Sequence, residues 1–170
     1  MKRFMLIIAI VFATFSISNA QGFYIDNNQL AWQKIFESDM NATDIVKSMH
    51  MSGNFRDIQI IDDSFIVATL RITSVNYEKL GYKRMSLPLY ISNNNFGPAN
   101  IIIQVKEGKY LVTVNNMLLS ERPGTSMGGD LDDVALADNG FSSTFSQYGA
   151  PIYDTIITQC VTFDRVIEDW

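Results

Sequence analysis

The sequence has one cysteine and one histidine in 170 residues. Because Cys160 has no second cysteine to bond with, no disulfide forms within the chain, and the fold must rest on its core. A zinc or catalytic role for His50 needs cysteine or carboxylate partners at established spacings, and none lies near it. Basic residues are scarce as well, 13 against 18 acidic ones. Their densest group, Lys79, Lys83 and Arg84, stands alone, whereas nucleic-acid binding rests on clustered Lys and Arg. Nucleic acid is therefore not expected as a partner. Beyond residue 20 no apolar run reaches the roughly 18 residues that a membrane-spanning helix needs.

What is present is most telling at the start. Lys2 and Arg3 precede an almost unbroken apolar stretch from Phe4 to Phe15. Ser18-Asn19-Ala20 then places small residues at the positions a signal peptidase reads. Residues 1–20 read as a secretory signal peptide, with no cysteine after the cleavage site to carry a lipid. The expected location is periplasmic or extracellular, and not membrane-spanning after cleavage. Residues 21–170 are then 150 residues, about one ordinary α+β domain. They hold 11 basic and 18 acidic residues, a net charge of −7.

Apolar alternation predicts a first strand over Leu30 to Phe36, with Leu30, Trp32 and Phe36 on one face. A helix from about Ala42 to Met51 should follow. Asn41 is its cap, Asp44 the third helical position, Met40 a staple onto Ile45, and Gly53 the stop. Ile58, Ile60 and Ile61 precede a turn at Asp62-Asp63-Ser64. Phe65 to Ile72 then reads as a strand with Ile66, Ala68, Leu70 and Ile72 on one face. Met85 to Ile91 reads as another, with Pro88 marking a sheet edge or bulge. The clearest hairpin turns at Glu107-Gly108, pairing Val105 with Tyr110, Ile103 with Val112 and Ile101 with Val114. A one-residue slip would mix the apolar and polar faces, so one face of this sheet is expected to be buried.

From 120 to 149 glycines punctuate a Ser- and Asp-rich stretch, which reads as a long flexible connection with a short helical turn near Leu131 to Leu136. The last segment opens at Pro151, with Asp154 in the first turn. Ile152, Ile156, Cys160, Phe163, Ile167 and Trp170 recur at helical steps, flanked by Tyr153, Ile157 and Val161. Propensity favours a strand there, but the period favours a long C-terminal helix packed on the sheet. The expected fold is thus α+β: an antiparallel sheet of about five to six strands, one helix after the first strand, and that C-terminal helix.

Trp32-Gln33-Lys34-Ile35-Phe36 and the hairpin Val105-Lys106-Glu107-Gly108-Lys109-Tyr110 carry a resemblance. On these residues the chain resembles exported bacterial domains of unknown function with a TATA-binding-protein-like, helix-grip-like fold. The likeness spans about residues 28–119. It implies a fold and an exported bacterial protein, and it brings no activity, ligand or catalytic residue.

The acidic run Asp130-Leu131-Asp132-Asp133, with Asp138 and Asn139 beyond, is the weak metal candidate. Alternating oxygens in a Gly-rich loop suit Ca²⁺, but an EF-hand wants an oxygen ligand at Val134, Gly at Ala135 and Glu at Phe141. A solvated acidic loop without metal or cofactor is the plainer reading. His50 at the end of the first helix reads as structural, and Cys160 on an apolar helix face as a small buried hydrophobe. Asn41-Ala42-Thr43 has the form of a glycosylation sequon, but capping accounts for Asn41. Phe96, Phe141, Phe145, Tyr148 and Tyr153 either line a cleft between sheet and helix or close the core beneath a loop, and the second is the more ordinary use.

The leading functional reading is a non-enzymatic exported module that binds an envelope protein or an apolar small molecule by its sheet or by the sheet–helix cleft. The alternative is a carboxylate-dependent hydrolase using the loop from Asp130 to Asp138. A catalytic pair would be held by structure in a cleft, whereas a binding module would show a disordered acidic loop and an apolar groove.

Overall fold

A computed structural model describes residues 21–125 and 128–165. The expected signal peptide, and Ile167 and Trp170 of the last apolar stripe, lie outside the described residues. The first element is one that the alternation did not announce. Strand β1 (Gly22–Asp26) pairs antiparallel with β2 (Gln29–Glu37). Their link, Asn27-Asn28, has φ of +48° and +63°. Positive φ at both positions is the backbone of a type I′ two-residue hairpin turn, and Asn tolerates it.

Helix α1 (Ala42–Ser52) starts and stops as its sequence requires. The Asn41 side chain accepts from the Asp44 N–H at 2.9 Å, and Gly53 ends the helix at φ +67°. Strands β3 (Phe55–Asp62) and β4 (Phe65–Leu70) meet at the expected turn, where Ser64 donates from its N–H and hydroxyl to the Asp62 carboxylate. Ile66, Ala68 and Leu70 are buried, but Ile72 lies past the strand end and is 56% exposed.

The expected strand over Met85 to Ile91 is absent. Those residues lie in a 3₁₀ turn (Arg84–Ser86) and a short helix α2 (Leu89–Ser92). Pro88 stands immediately before the helix, where its fixed φ suits the start and its missing N–H costs nothing. Strand β5 (Asn94–Phe96) follows. Strands β6 (Ala99–Lys106) and β7 (Lys109–Asn115) then form the predicted hairpin, with Val105, Ile103 and Ile101 opposite Tyr110, Val112 and Val114.

The described residues of 120–149, read as a flexible connection with a helical turn, carry several short elements. Strands β8 (Leu118–Glu121) and β9 (Gly129–Asp130) precede helix α3 (Asp132–Ala135), close to the helical turn read from the sequence. Strands β10 (Leu136–Ala137) and β11 (Gly140–Phe141) lead to a π-helical turn (Phe145–Gly149) that runs into α4 (Ala150–Val161). Leu131, Ala135 and Phe145 have no exposed surface, so apolar side chains pin this region to the core.

Six strands form one antiparallel sheet in the order β1-β2-β7-β6-β4-β3, flanked by the small sheets β5-β8-β9 and β10-β11. The inward rows, such as Trp32, Val112, Ile103 and Ile66, share one cluster with Ile45 and Met49 of α1 and Ile152, Ile156 and Cys160 of α4. Burial of each large apolar side chain stabilises by about 1.5–3 kcal/mol before entropy is counted.

Helix α4 is also fixed to β2 by polar contacts. The Trp32 indole N–H donates to the Asp154 carboxylate at 2.8 Å, and Lys34 Nζ to the Thr158 hydroxyl at 3.1 Å. Alternate strand residues are about 7 Å apart and helix residues four apart about 6 Å, so the two pairs coincide. Asp154 therefore sits beyond the first turn of α4, facing the sheet. The helix stops earlier than its apolar period suggests. Thr162 turns extended, and the Tyr110 hydroxyl donates to the Val161 carbonyl at 3.0 Å and accepts from the Phe163 N–H at 3.3 Å. Phe163 stays buried, against Phe55 and Tyr110.

Candidate functional site

Strand alternation sends half of the side chains inward and leaves the other half on the opposite face. On that outer face Ile35 stands beside Leu111, Leu111 beside Gln104, and Gln104 beside Phe65. The next row brings Gln33, Thr113, Ile102 and Val67 together. Ile35, Leu111, Phe65, Ile102 and Val67 are half-buried, and none belongs to the core cluster that holds α1 and α4. A shallow hollow of about 400 Å³ lies over Val67, Thr69, Asn100 and Ile102. The face is an apolar band edged by amides and hydroxyls, with Lys106 and Lys109 opposite each other at its hairpin end.

At the free edge of the sheet a second hollow, about 450 Å³, is lined by Arg56, Arg71, Ile72 and Pro98. Pairing builds it: Arg56 lies opposite Thr69, and Leu70 opposite Ala99, so Arg71 emerges beside Pro98. Arg71 Nε donates to the Phe55 carbonyl at 3.1 Å, which fixes the guanidinium. Arg56 Nε lies 3.5 Å from the Asp57 carboxylate, an exposed pair. Gly97 is required next door. Its φ is +97°, and a Cβ there would come within 2.8 Å of the Arg71 carbonyl oxygen. Nothing in the sequence marked these arginines, which are fifteen positions apart and meet only through the β3–β4 pairing.

The acidic loop is organised differently from either expectation. Both oxygens of the Asp132 carboxylate accept from the Leu30 N–H, at 3.2 and 3.3 Å, and Asp130 accepts from the Asp132 N–H at 3.0 Å. Asp132 thus closes off the backbone of β2. Burial raises its carboxyl from the ordinary aspartate value, the Leu30 N–H opposes the rise, and Asp130 and Asp133 add to it. Asp133 and Asp138 are exposed. Among the described residues no three His, Cys, Asp or Glu side chains converge as a metal site would require. The loop carries a helical turn in place of the disorder expected of a plain binding module, and it offers no paired carboxylates in a cleft.

The loop aromatics fill the space between sheet and helix. Phe96, Phe145 and Tyr153 are at most 1% exposed, with Phe96 5.3 Å from Tyr153 and Phe23 5.1 Å from Phe145. Tyr148 is half-buried and Phe141 more open. The sheet–helix cleft is thereby closed. Cys160 is buried in α4 near the Thr73 hydroxyl, and burial pushes its thiol up, away from thiolate character. His50 is exposed in the last turn of α1.

One structural residue escaped the sequence reading altogether. Arg122 donates to the carbonyls of Asn94 and Val75 and to the Tyr77 hydroxyl, and its guanidinium lies 4.9 Å over the Tyr77 ring. It ties β8 to the irregular segment before α2. Among the described residues no helix is long and apolar enough to cross a membrane.

No protein-family model and no curated protein matches the sequence. Among solved structures the chain is similar to a TBP-like protein from Parabacteroides distasonis. The TM-score is 0.49 and the identity 9%, over 81% of this chain and 93% of that one. It is also similar to a DUF4468 family protein from Bacteroides ovatus, with TM-score 0.47 and 13% identity, over 82% of this chain and 87% of the other. The first bears the fold name to which the Trp32 strand and the Gly108 hairpin pointed. These likenesses concern fold and bring no ligand, activity or site residue.

Proposed function

We propose that this chain is an exported, non-enzymatic binding module of the cell envelope, and that its partner docks on the outer face of the six-stranded sheet. The observation that carries this reading is the band of Ile35, Leu111, Phe65, Ile102 and Val67 outside the core cluster. A soluble sheet face normally turns polar where nothing covers it. The sheet–helix cleft is filled by aromatics, so of the two surfaces expected to take an apolar partner the outer sheet face is the one that stays accessible. Its hollow is open and shallow, which suits a protein surface better than an apolar small molecule, since the latter binds in enclosed pockets.

The test is capture of cross-linked partners from the envelope fraction with the mature protein and two variants. Leu111→Asp, on the outer face, should abolish capture without moving the melting temperature by much. Met51→Asp, at a side chain 71% exposed on α1, should leave capture unchanged. If Leu111→Asp captures the same proteins as wild type, the sheet face is not the docking surface.

A further inference from the structure

We infer that the edge hollow lined by Arg56, Arg71, Ile72 and Pro98 binds a small organic carboxylate carrying a single negative charge. This goes beyond the sheet-face reading and does not depend on it. The chain is acidic overall, and here two arginines line one hollow of about 450 Å³. The Arg71 Nε bond to the Phe55 carbonyl spends one donor and orients the rest. Its Nη groups have no hydrogen-bond partner among the described residues. A guanidinium fixed by one edge presents its remaining fork to a planar carboxylate at little further cost in entropy.

Charge decides between anions. Asp57 stands 3.5 Å from Arg56 and offsets one of the two positive charges. The Arg71 charge is then the one left without a carboxylate beside it among the described residues, which complements a carboxylate monoanion better than a phosphate dianion. Apolar walls set the rest of the ligand. Ile72 is 56% exposed, outside any strand, and forms the hollow's border with Pro98. A short aliphatic body on the carboxylate would cover Ile72, and burying apolar area is favourable.

The experiment titrates the mature protein with hexanoate and follows backbone amide resonances by NMR. Hexanoate should give saturable shifts around Arg71 and Ile72, and hexanol should not. Hexyl phosphate should bind more weakly than hexanoate, and Asp57→Asn should narrow or reverse that order. Arg56→Gln and Arg71→Gln should each weaken hexanoate by about tenfold or more, the loss of one charge-assisted contact. Should Arg71→Gln unfold, Ile72→Ser carries the test, weakening hexanoate while leaving acetate unchanged. Absence of saturation, equal binding of hexanol, or unchanged affinity in Arg56→Gln and Ile72→Ser overturns the inference. Tighter binding of hexyl phosphate to the wild type overturns its choice of anion.

Discussion

Tyr110 and Tyr90 are both buried, yet their hydroxyls meet opposite surroundings. The Tyr110 hydroxyl bridges the end of α4, donating to Val161 and accepting from Phe163. Removing it leaves a buried carbonyl and a buried N–H without their partner, so Tyr110→Phe should destabilise by about 1–3 kcal/mol. The Tyr90 hydroxyl is buried without a hydrogen-bond partner among the described residues. Tyr90→Phe removes only an unsatisfied group and should leave stability at neutral pH equal or higher. Burial also pushes the Tyr90 phenol from 10.0 up to about 12. The unfolded chain releases this proton near pH 10 and the folded one near pH 12. Stability is therefore intact below pH 10 and declines as the pH climbs to about 12, by up to roughly 2–3 kcal/mol from this group. Burial raises Tyr153 and Tyr77 as well, so they add to the alkaline loss. Thermal melts of both variants from pH 7 to 12 check this: Tyr90→Phe should flatten the alkaline decline. A Tyr90→Phe protein that melts well below wild type at pH 7 would mean that its hydroxyl has a partner after all.

Pairs that reach between elements decide what holds α4 in place. The Trp32 indole N–H, on a fully buried side chain, has the Asp154 carboxylate as its acceptor. Asp154→Ala should cost about 1–3 kcal/mol by stranding that donor. Trp32→Phe in the same background should then cost less than it does in the wild type, a coupling readable in a double-mutant cycle of melting curves. Additive losses would place the contact outside the energetics. The same cross-element contacts separate what was legible in the sequence from what was not. The β6–β7 register could be read because apolar alternation over six paired residues has one consistent solution. Helix α1 could be read because its cap, Asn41, and its stop, Gly53, are local signals. The end of α4 could not, since Phe163 continues the helical period while a hydroxyl more than fifty positions away closes the helix. Pro88 misled because proline marks a strand edge and a helix start alike. Strand β1 was missed because five residues carry little alternation, although Asn27-Asn28 offered a turn signal. Of the candidate site, the outer face was misread: Gln104, Lys106, Lys109 and Asn115 made it look polar, whereas Ile102 and Leu111 lie between them and join Ile35 there. The arginine hollow was invisible because it depends on the β3–β4 pairing, whose two register shifts the sequence does not announce.

At the scale of the whole molecule, one core cluster draws on every part of the chain from Leu30 to Phe163. A chain ending at Gly149 loses Ile152, Tyr153, Ile156, Ile157, Cys160, Val161 and Phe163 from that cluster and bares the inward face of the sheet. It should aggregate or melt far lower, which light scattering and calorimetry would register. An unchanged, monomeric melt would mean that α4 adds nothing to the core. The acidic loop poses the complementary question, because its carboxylates suggest a metal while its contacts suggest a clasp. As a clasp, Asp132 holds the Leu30 N–H at the start of β2 and links a late loop to an early strand. Asp132→Ala should then lower stability by about 1–3 kcal/mol with no metal present. For a chain of this length that is roughly 2–4 °C of melting temperature per kcal/mol. Calcium at about 0.1 mM, on the order of the dissociation constants of weak extracellular modules, should leave wild type and Asp130→Ala alike within error. A site whose dissociation constant is at or above that concentration adds at most about 0.4 kcal/mol. A calcium-dependent rise in the wild-type melting temperature, abolished by Asp132→Ala, would instead make this loop a metal site and demote the clasp to its scaffold.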